Sequence, residues 1–273
     1  MTSDRRPVRV ERDGALAVAV LDSPPLNLFD EPVFAALETV LEELRALTDP
    51  TVPDRARAVV FEASGKVVSG GVDVALFADI AESEDAVQRG GALWRRLLRI
   101  TQAVEDLPVP TVFAAHGLTL TAAFELALAC DLLLAAERAS FGLVERVVGL
   151  SPSMGGPQRL AERAGPARAK ELVYTGKRYP AATLERWGVV TEVLPDEGFA
   201  AAVRTYARDL AAGPTLAHAV TKRLVTTAVR DGVRAADDIT PAVSGNLFGT
   251  ADLRGAVAGF LRDGPGRATF DGR

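Results

Sequence analysis

The stretch P-T-V-F-A-A-H-G-L-T-L-T-A-A-F-E-L-A-L-A-C-D-L-L-L-A-A, residues 110–136, decides the fold. Pro108 and Pro110 introduce a short apolar run at 111–115, Gly117 interrupts it, residues 122–129 read as a helix, and 132–136 is again continuously apolar. Strand, helix and strand in succession, with no polar alternation in the strands, imply α/β crossovers whose strands are buried on both faces.

The same alternation extends towards the N-terminus. Residues 15–21 read as a strand after the turn-like Arg12-Asp13-Gly14, and Ser23-Pro24-Pro25 stops it. Asp30 is placed as a helix N-cap with Pro32 in the first turn, and Val33, Leu37, Val40, Leu41, Leu44 and Leu47 recur at helical spacing. A buried strand is expected at 58–61, a tight turn at Ser69-Gly70-Gly71 and an amphipathic helix over 87–104. From Phe199 onward the pattern is helical, so residues 1–198 read as the α/β core and 199–273 as a helical region whose apolar surface needs covering by the body or by another subunit.

With 273 residues and 48% hydrophobic content there is ample material for a large core. A net charge of −5 with dispersed Lys and Arg argues against nucleic acid or a membrane surface as partner. One cysteine, Cys130, allows no internal disulfide, and the charged residues 1–10 hold no apolar leader core, so the cytoplasm is the expected compartment.

Two carboxylates stand out because apolar surroundings make an ionised acid costly unless it is paired, protonated or used. Glu125 lies in A-A-F-E-L-A-L-A and Glu145 in F-G-L-V-E-R-V-V-G-L. Their bland readings are a first-turn acid favoured by the helix dipole and a partner for Arg146. Together, beside glycine turns, they suit a pair of acid and base. The glycines at 70 and 71 and the helix start near Ala122 allow two backbone N–H groups to converge on an anionic oxygen. No G-x-G-x-x-G follows a strand, no P-loop or G-x-S-x-G motif occurs, and two histidines with one cysteine leave no expected metal site. His116 and Cys130 read as structural, Asp131 as a cap or turn acid, and Lys222-Arg223 as a solvated face, with attraction of phosphates near a cleft as its alternative.

Taken in order, P-P-L-N-L-F-D at 24–30, V-V-S-G-G-V-D-V at 67–74, P-T-V-F-A-A-H-G at 110–117, F-E-L-A-L-A-C-D at 124–131, F-G-L-V-E at 141–145, G-L-S-P-S-M-G-G-P-Q-R-L at 149–160 and Y-T-G-K-R-Y at 174–179 resemble the crotonase superfamily, the enoyl-CoA hydratase/isomerase family. The likeness extends to Val220-Thr221-Lys222-Arg223 and to Phe270-Asp271-Gly272-Arg273. It implies a crotonase-like spiral of ββα units with a C-terminal α-helical region that helps build a homotrimer or a dimer of trimers. The substrate it implies is an acyl-CoA or acyl-carrier thioester, with no cofactor because CoA belongs to the substrate. Glu125 and Glu145 match the two acid/base positions, Val72 and Ala122 the oxyanion-hole amides, and Val72, Asp73, Val74 and Ala122 the substrate contacts. The implied reaction is hydration of an α,β-unsaturated thioester through a stabilised enolate. Isomerisation or decarboxylation by the same enolate chemistry, and a non-catalytic thioester-binding role, are the alternatives. The chain departs from the family at Thr121-Ala122-Ala123, where many members carry Gly-Gly-Gly. Alanine keeps its N–H, but the added side chains narrow the space beside the thioester. Val144 replaces a frequent proline and His116 a common asparagine.

Overall fold

The computed structural model describes residues 6–273; the first five residues of the charged 1–10 segment lie outside it. In chain order the elements are β1 (Val8–Asp13), β2 (Leu16–Leu21), α1 (Glu31–Thr48), β3 (Ala58–Ala63), α2 (Ala75–Ala81), α3 (Ala86–Glu105), β4 (Thr111–Ala115), β5 (Leu118–Leu120), α4 (Ala122–Ala129), β6 (Leu132–Ala136) and β7 (Ser140–Gly142). They continue with α5 (Gly156–Ala164), α6 (Pro166–Thr175), β8 (Tyr179–Pro180), α7 (Ala181–Arg186), β9 (Glu192–Leu194), α8 (Phe199–Ala212), α9 (Thr215–Asp231), α10 (Val233–Gly245) and α11 (Ala251–Asp263).

β1 and β2 form an antiparallel hairpin, and β2, β3, β4, β6 and β9 then lie side by side in parallel, giving a six-stranded sheet in the order β1-β2-β3-β4-β6-β9. The two-residue period of a strand divides its side chains between two cores. Ala17, Ala19, Val59, Phe61, Phe113 and Leu133 face the core shared with α1, α3 and α4. Leu16, Val18, Ala58, Val60, Val112 and Leu134 face Phe199, Val203, Ala207 and Ala211 of α8. The sheet is therefore covered on both sides, as the unbroken apolar runs require, and each large side chain so buried stabilises the fold by about 1.5–3 kcal/mol.

Asp30 caps α1 as expected, its carboxylate accepting the Val33 N–H at 2.9 Å, a contact typically worth about 1 kcal/mol. Two expectations are corrected. Ser69-Gly70-Gly71 is not a tight turn but an extended crossing, held by isolated bridges from Phe29 to Val72 and from Ser69 to Thr119. Lys222 is not on a solvated face: its Nζ donates to Asp131 Oδ2 at 3.0 Å and to the Val109 carbonyl at 3.3 Å, tying α9 to the body, while Arg223 is exposed.

The second sheet is small, β5-β7-β8, and β5 delivers the chain directly into α4. At the far end, the Asp252 carboxylate accepts the Asp271 and Gly272 N–H groups, each at 2.9 Å, and Arg55 donates to the Gly272 carbonyl at 2.7 Å. The late helices leave Val225, Val229, Val257, Phe260 and Leu261 exposed. Among the described residues no helix is long and apolar enough to cross a membrane, and no group of three or more His, Cys, Asp or Glu is placed to hold a metal.

Candidate active site

The site forms where the 67–73 crossing meets the start of α4. The crossing is fixed from beneath by Asn27, whose side-chain amide donates to the carbonyls of Ser64, Val67 and Val68. Ser69 adds to this, its hydroxyl donating to the Asn27 carbonyl at 2.7 Å and accepting the Gly71 N–H at 3.0 Å. On its other side the Phe29 N–H donates to Gly71 and the Asp73 N–H to Phe29, so Val72 is clamped between two main-chain bonds. The Val72 N–H itself donates to Thr121 Oγ1 at 3.0 Å. The two segments that supply the expected oxyanion amides are thus in contact.

Thr121 immediately precedes α4 with φ +48° and ψ −120°, a conformation that suits glycine and is an outlier for a β-branched residue. Its N–H donates to the Gly142 carbonyl and its own carbonyl accepts the Glu125 N–H. Ala122, the first helical residue, is fully buried, and among the described residues its N–H meets no acceptor. A helix start leaves such donors unpaired and carries the positive end of the dipole, so negative charge is favoured there. Asp73 caps the start of α2, its Oδ1 accepting the Ala75 N–H at 3.0 Å, and Val74 is exposed beside it.

Glu125 lies one turn along α4 and is only 3% exposed. Its Oε1 accepts two main-chain N–H groups, from Met154 and Gly156, each at 2.8 Å. Burial drives its pKa up to about 7, while those two amides and the nearby Arg159 hold it lower than burial alone would. Gly156 is required by this approach: a Cβ there would stand 2.7 Å from Glu125 Cγ and 2.9 Å from Oε1.

Glu145 opens the four-residue 3-10 turn Glu145–Val148. Its Oε2 is buried without a hydrogen-bond partner among the described residues. The bland reading, a pairing with Arg146, does not hold, since that guanidinium donates to the Thr175 carbonyl at 2.9 Å. Val147 and Val148, on the same turn, are exposed. Burial first, and then the proximity of Glu125, push the Glu145 pKa up to about 8. The structure therefore brings the two carboxylates close enough to interact. Two acids that repel one another hold one proton between them near neutrality, and the one with amide donors, Glu125, is the better place for the charge. His116, read as structural, has Nε2 at 3.1 Å from the Gly65 carbonyl.

Three participants escaped the sequence. Met154 and Gly156 lie in the S-M-G-G segment, and a glycine pair following a proline was the signal that backbone approaches something closely there. The Thr121 hydroxyl was visible only as added bulk, because its partner is 49 residues away.

Comparison with known proteins adds a common pattern. The sequence model of the family described as enoyl-CoA hydratase/isomerase matches residues 11–265. A protein of Salmonella arizonae named carnitinyl-CoA dehydratase is 32% identical over 231 residues, covering 83% of this chain and 84% of that protein. A crotonyl-CoA hydratase of Syntrophomonas wolfei is 28% identical over 254 residues, covering 92% of this chain and 94% of that protein. In three dimensions, an enoyl-CoA hydratase crystal structure from Bacillus anthracis superposes with a TM-score of 0.86 over 98% of this chain and 100% of that one, at 23% identity, which speaks for the fold.

Proposed function

Because the chain belongs to the enoyl-CoA hydratase/isomerase family and has the crotonase fold, we propose that it adds water across the double bond of an α,β-unsaturated acyl-CoA thioester. The observation that carries this reading is the inequality of the two carboxylates: Glu125 cradled by two amides, Glu145 with a buried oxygen that has no partner among the described residues. That inequality supports one base and one acid. Relatives named for a hydratase and a dehydratase belong to the two directions of one such addition.

In the proposed step Glu125 takes a proton from water as the water oxygen bonds to Cβ. The double-bond electrons move towards the thioester oxygen, giving an enolate held by the oxyanion donors at the start of α4. As the enolate collapses, Glu145 delivers its proton to Cα, and the product is a β-hydroxyacyl thioester. Glu125 then carries the proton and Glu145 the charge, so one proton passing between them or through solvent restores the starting state. A preorganised donor of this kind is worth about 10²–10³ in rate, and each acid/base group about 10²–10⁴. No metal is needed for these steps, and CoA arrives with the substrate. Val72, Asp73, Val74 and Ala122 line the proposed thioester approach, and the exposed apolar side chains of the late helices are assigned to contacts in a homotrimer or dimer of trimers.

The test is turnover of crotonyl-CoA, followed as loss of the conjugated thioester absorbance, with Glu125→Gln and Glu145→Gln alongside. Loss in both variants supports hydration. Activity on a β,γ-unsaturated thioester that needs only one carboxylate replaces the reading with isomerisation, and thioester binding without turnover across acyl chains replaces it with a binding role.

A further inference from the structure

The Val72 amide has a property that the oxyanion reading does not anticipate: its hydrogen is already engaged. Thr121 Oγ1 lies 3.0 Å from Val72 N, on a side chain that is almost fully buried. A hydroxyl oxygen that accepts one bond still carries one O–H donor. Among the described residues that donor meets no acceptor, and the next residue along is Ala122, whose N–H is also unpaired. Two free donors therefore sit on consecutive residues at the positive end of a helix, and one of them is a side chain.

The surroundings hold the hydroxyl there. Thr121 is pinned by its N–H to Gly142 and by its carbonyl to the Glu125 N–H, which keeps it at a φ that costs a β-branched residue free energy. Across from it Gly71, at φ +109°, leaves the room: a Cβ on residue 71 would stand 2.7 Å from Thr121 Oγ1. While the hydroxyl occupies this place, a thioester oxygen cannot accept directly from Val72.

We propose that Thr121 is a catalytic residue whose hydroxyl, and not the Val72 amide, forms the second oxyanion donor beside the Ala122 N–H. The Val72 N–H donates to Thr121 Oγ1, and the O–H donates to the thioester oxygen, with no bond made or broken. A hydroxyl polarised by an amide at its back is a stronger donor than a free one. Because the relay adds one O–H···O length, about 2.7 Å, it sets the thioester oxygen farther from Val72 and shifts the acyl chain with it. The assignment rests on the thioester reading of the site and names the atom that selects where the carbonyl sits.

The experiment is isotope-edited infrared spectroscopy of bound crotonyl-CoA carrying carbon-13 at the thioester carbonyl, with wild type, Thr121→Ser and Thr121→Val. Valine keeps the β-branching and so the backbone demand, and puts a methyl in place of the hydroxyl, which removes the O–H donor and the acceptor of the Val72 N–H together. The stretch is expected to fall on binding to wild type and to Thr121→Ser, and to return part of the way to its free value in Thr121→Val, where the Ala122 N–H remains as the single donor, with kcat reduced about 10²–10³-fold and KM little changed. A stretch lowered equally in wild type and Thr121→Val overturns the relay and leaves the proposed reaction standing. Bound thioester whose stretch never moves, even in wild type, overturns both. A crystal structure of the wild-type chain with a bound acyl-CoA decides the matter without a variant: Thr121 Oγ1 on the thioester oxygen supports the relay, and Val72 N directly on that oxygen refutes it.

Discussion

Replacing Glu125 by Gln separates the free energy of burying a charge from that of filling a space. The amide side chain keeps an oxygen to accept the Met154 and Gly156 N–H groups, each 2.8 Å away in the native protein, and has nearly the same volume. What disappears is the titration. The native carboxyl has its pKa raised to about 7 from 4.5, chiefly by burial. A group that binds its proton more tightly when folded costs stability as pH rises from the unfolded value through the folded one, because the unfolded chain ionises first. Below about pH 4 native and variant feel no difference from this source; above about pH 7 the cost is complete, at roughly 3 kcal/mol for a shift of this size. The stability of Glu125→Gln relative to the native protein is therefore expected to rise by about 2.5 kcal/mol between pH 5 and pH 8. Urea denaturation at fixed protein concentration measures it, while kcat should fall about 10²–10⁴-fold because Gln accepts no proton from water. A relative stability that does not change with pH would refute the claim that burial raises this carboxyl.

The activity of the native protein should follow a narrow bell, rising with an apparent pKa near 7 as Glu125 ionises and falling near 8 as Glu145 loses its proton, two values that belong to the pair; in Glu145→Gln the alkaline fall should vanish from the pH–rate profile. Gly156→Ala places a Cβ 2.7 Å from Glu125 Cγ, so it should displace the carboxylate from its amides, lower kcat with little change in KM, and cost about 1–3 kcal/mol on thermal or urea unfolding. Asp131→Ala removes the acceptor shared by the Thr111 N–H, the Thr111 hydroxyl and Lys222 Nζ; a loss of about 2 kcal/mol is expected, with faster hydrogen exchange in α9.

The parts of the fold that the sequence made legible are those where one local signal suffices. β4, α4 and β6 have the expected bounds because proline, glycine and unbroken apolar runs punctuate them, and α1 is announced by an aspartate followed by a proline. β1 was hidden because Arg9, Glu11 and Arg12 interleave its apolar residues, the pattern of an edge strand with one wet face. The 67–73 crossing has no periodicity at all, being held by single bridges to residues far along the chain. The same division runs through the site. Glu125 and Glu145 were conspicuous as acids in apolar stretches, whereas the donors that make them unequal come from residues 29 and 31 positions beyond Glu125, a separation that only the folded chain closes.

Ala122 and Glu125 share a single turn of α4. Three residues of helix advance about 4.5 Å, so the spacing between the buried amide and the carboxylate is inherited from peptide geometry and does not depend on loop packing. Any displacement of α4 is then a common-mode error: it carries donor and base together, preserves their mutual distance, and misaligns both against Glu145, which stands on a separate element. Calibration of the site accordingly falls to the contacts that seat this helix against its neighbours, and substitutions there should alter the proton-delivery half of the reaction first.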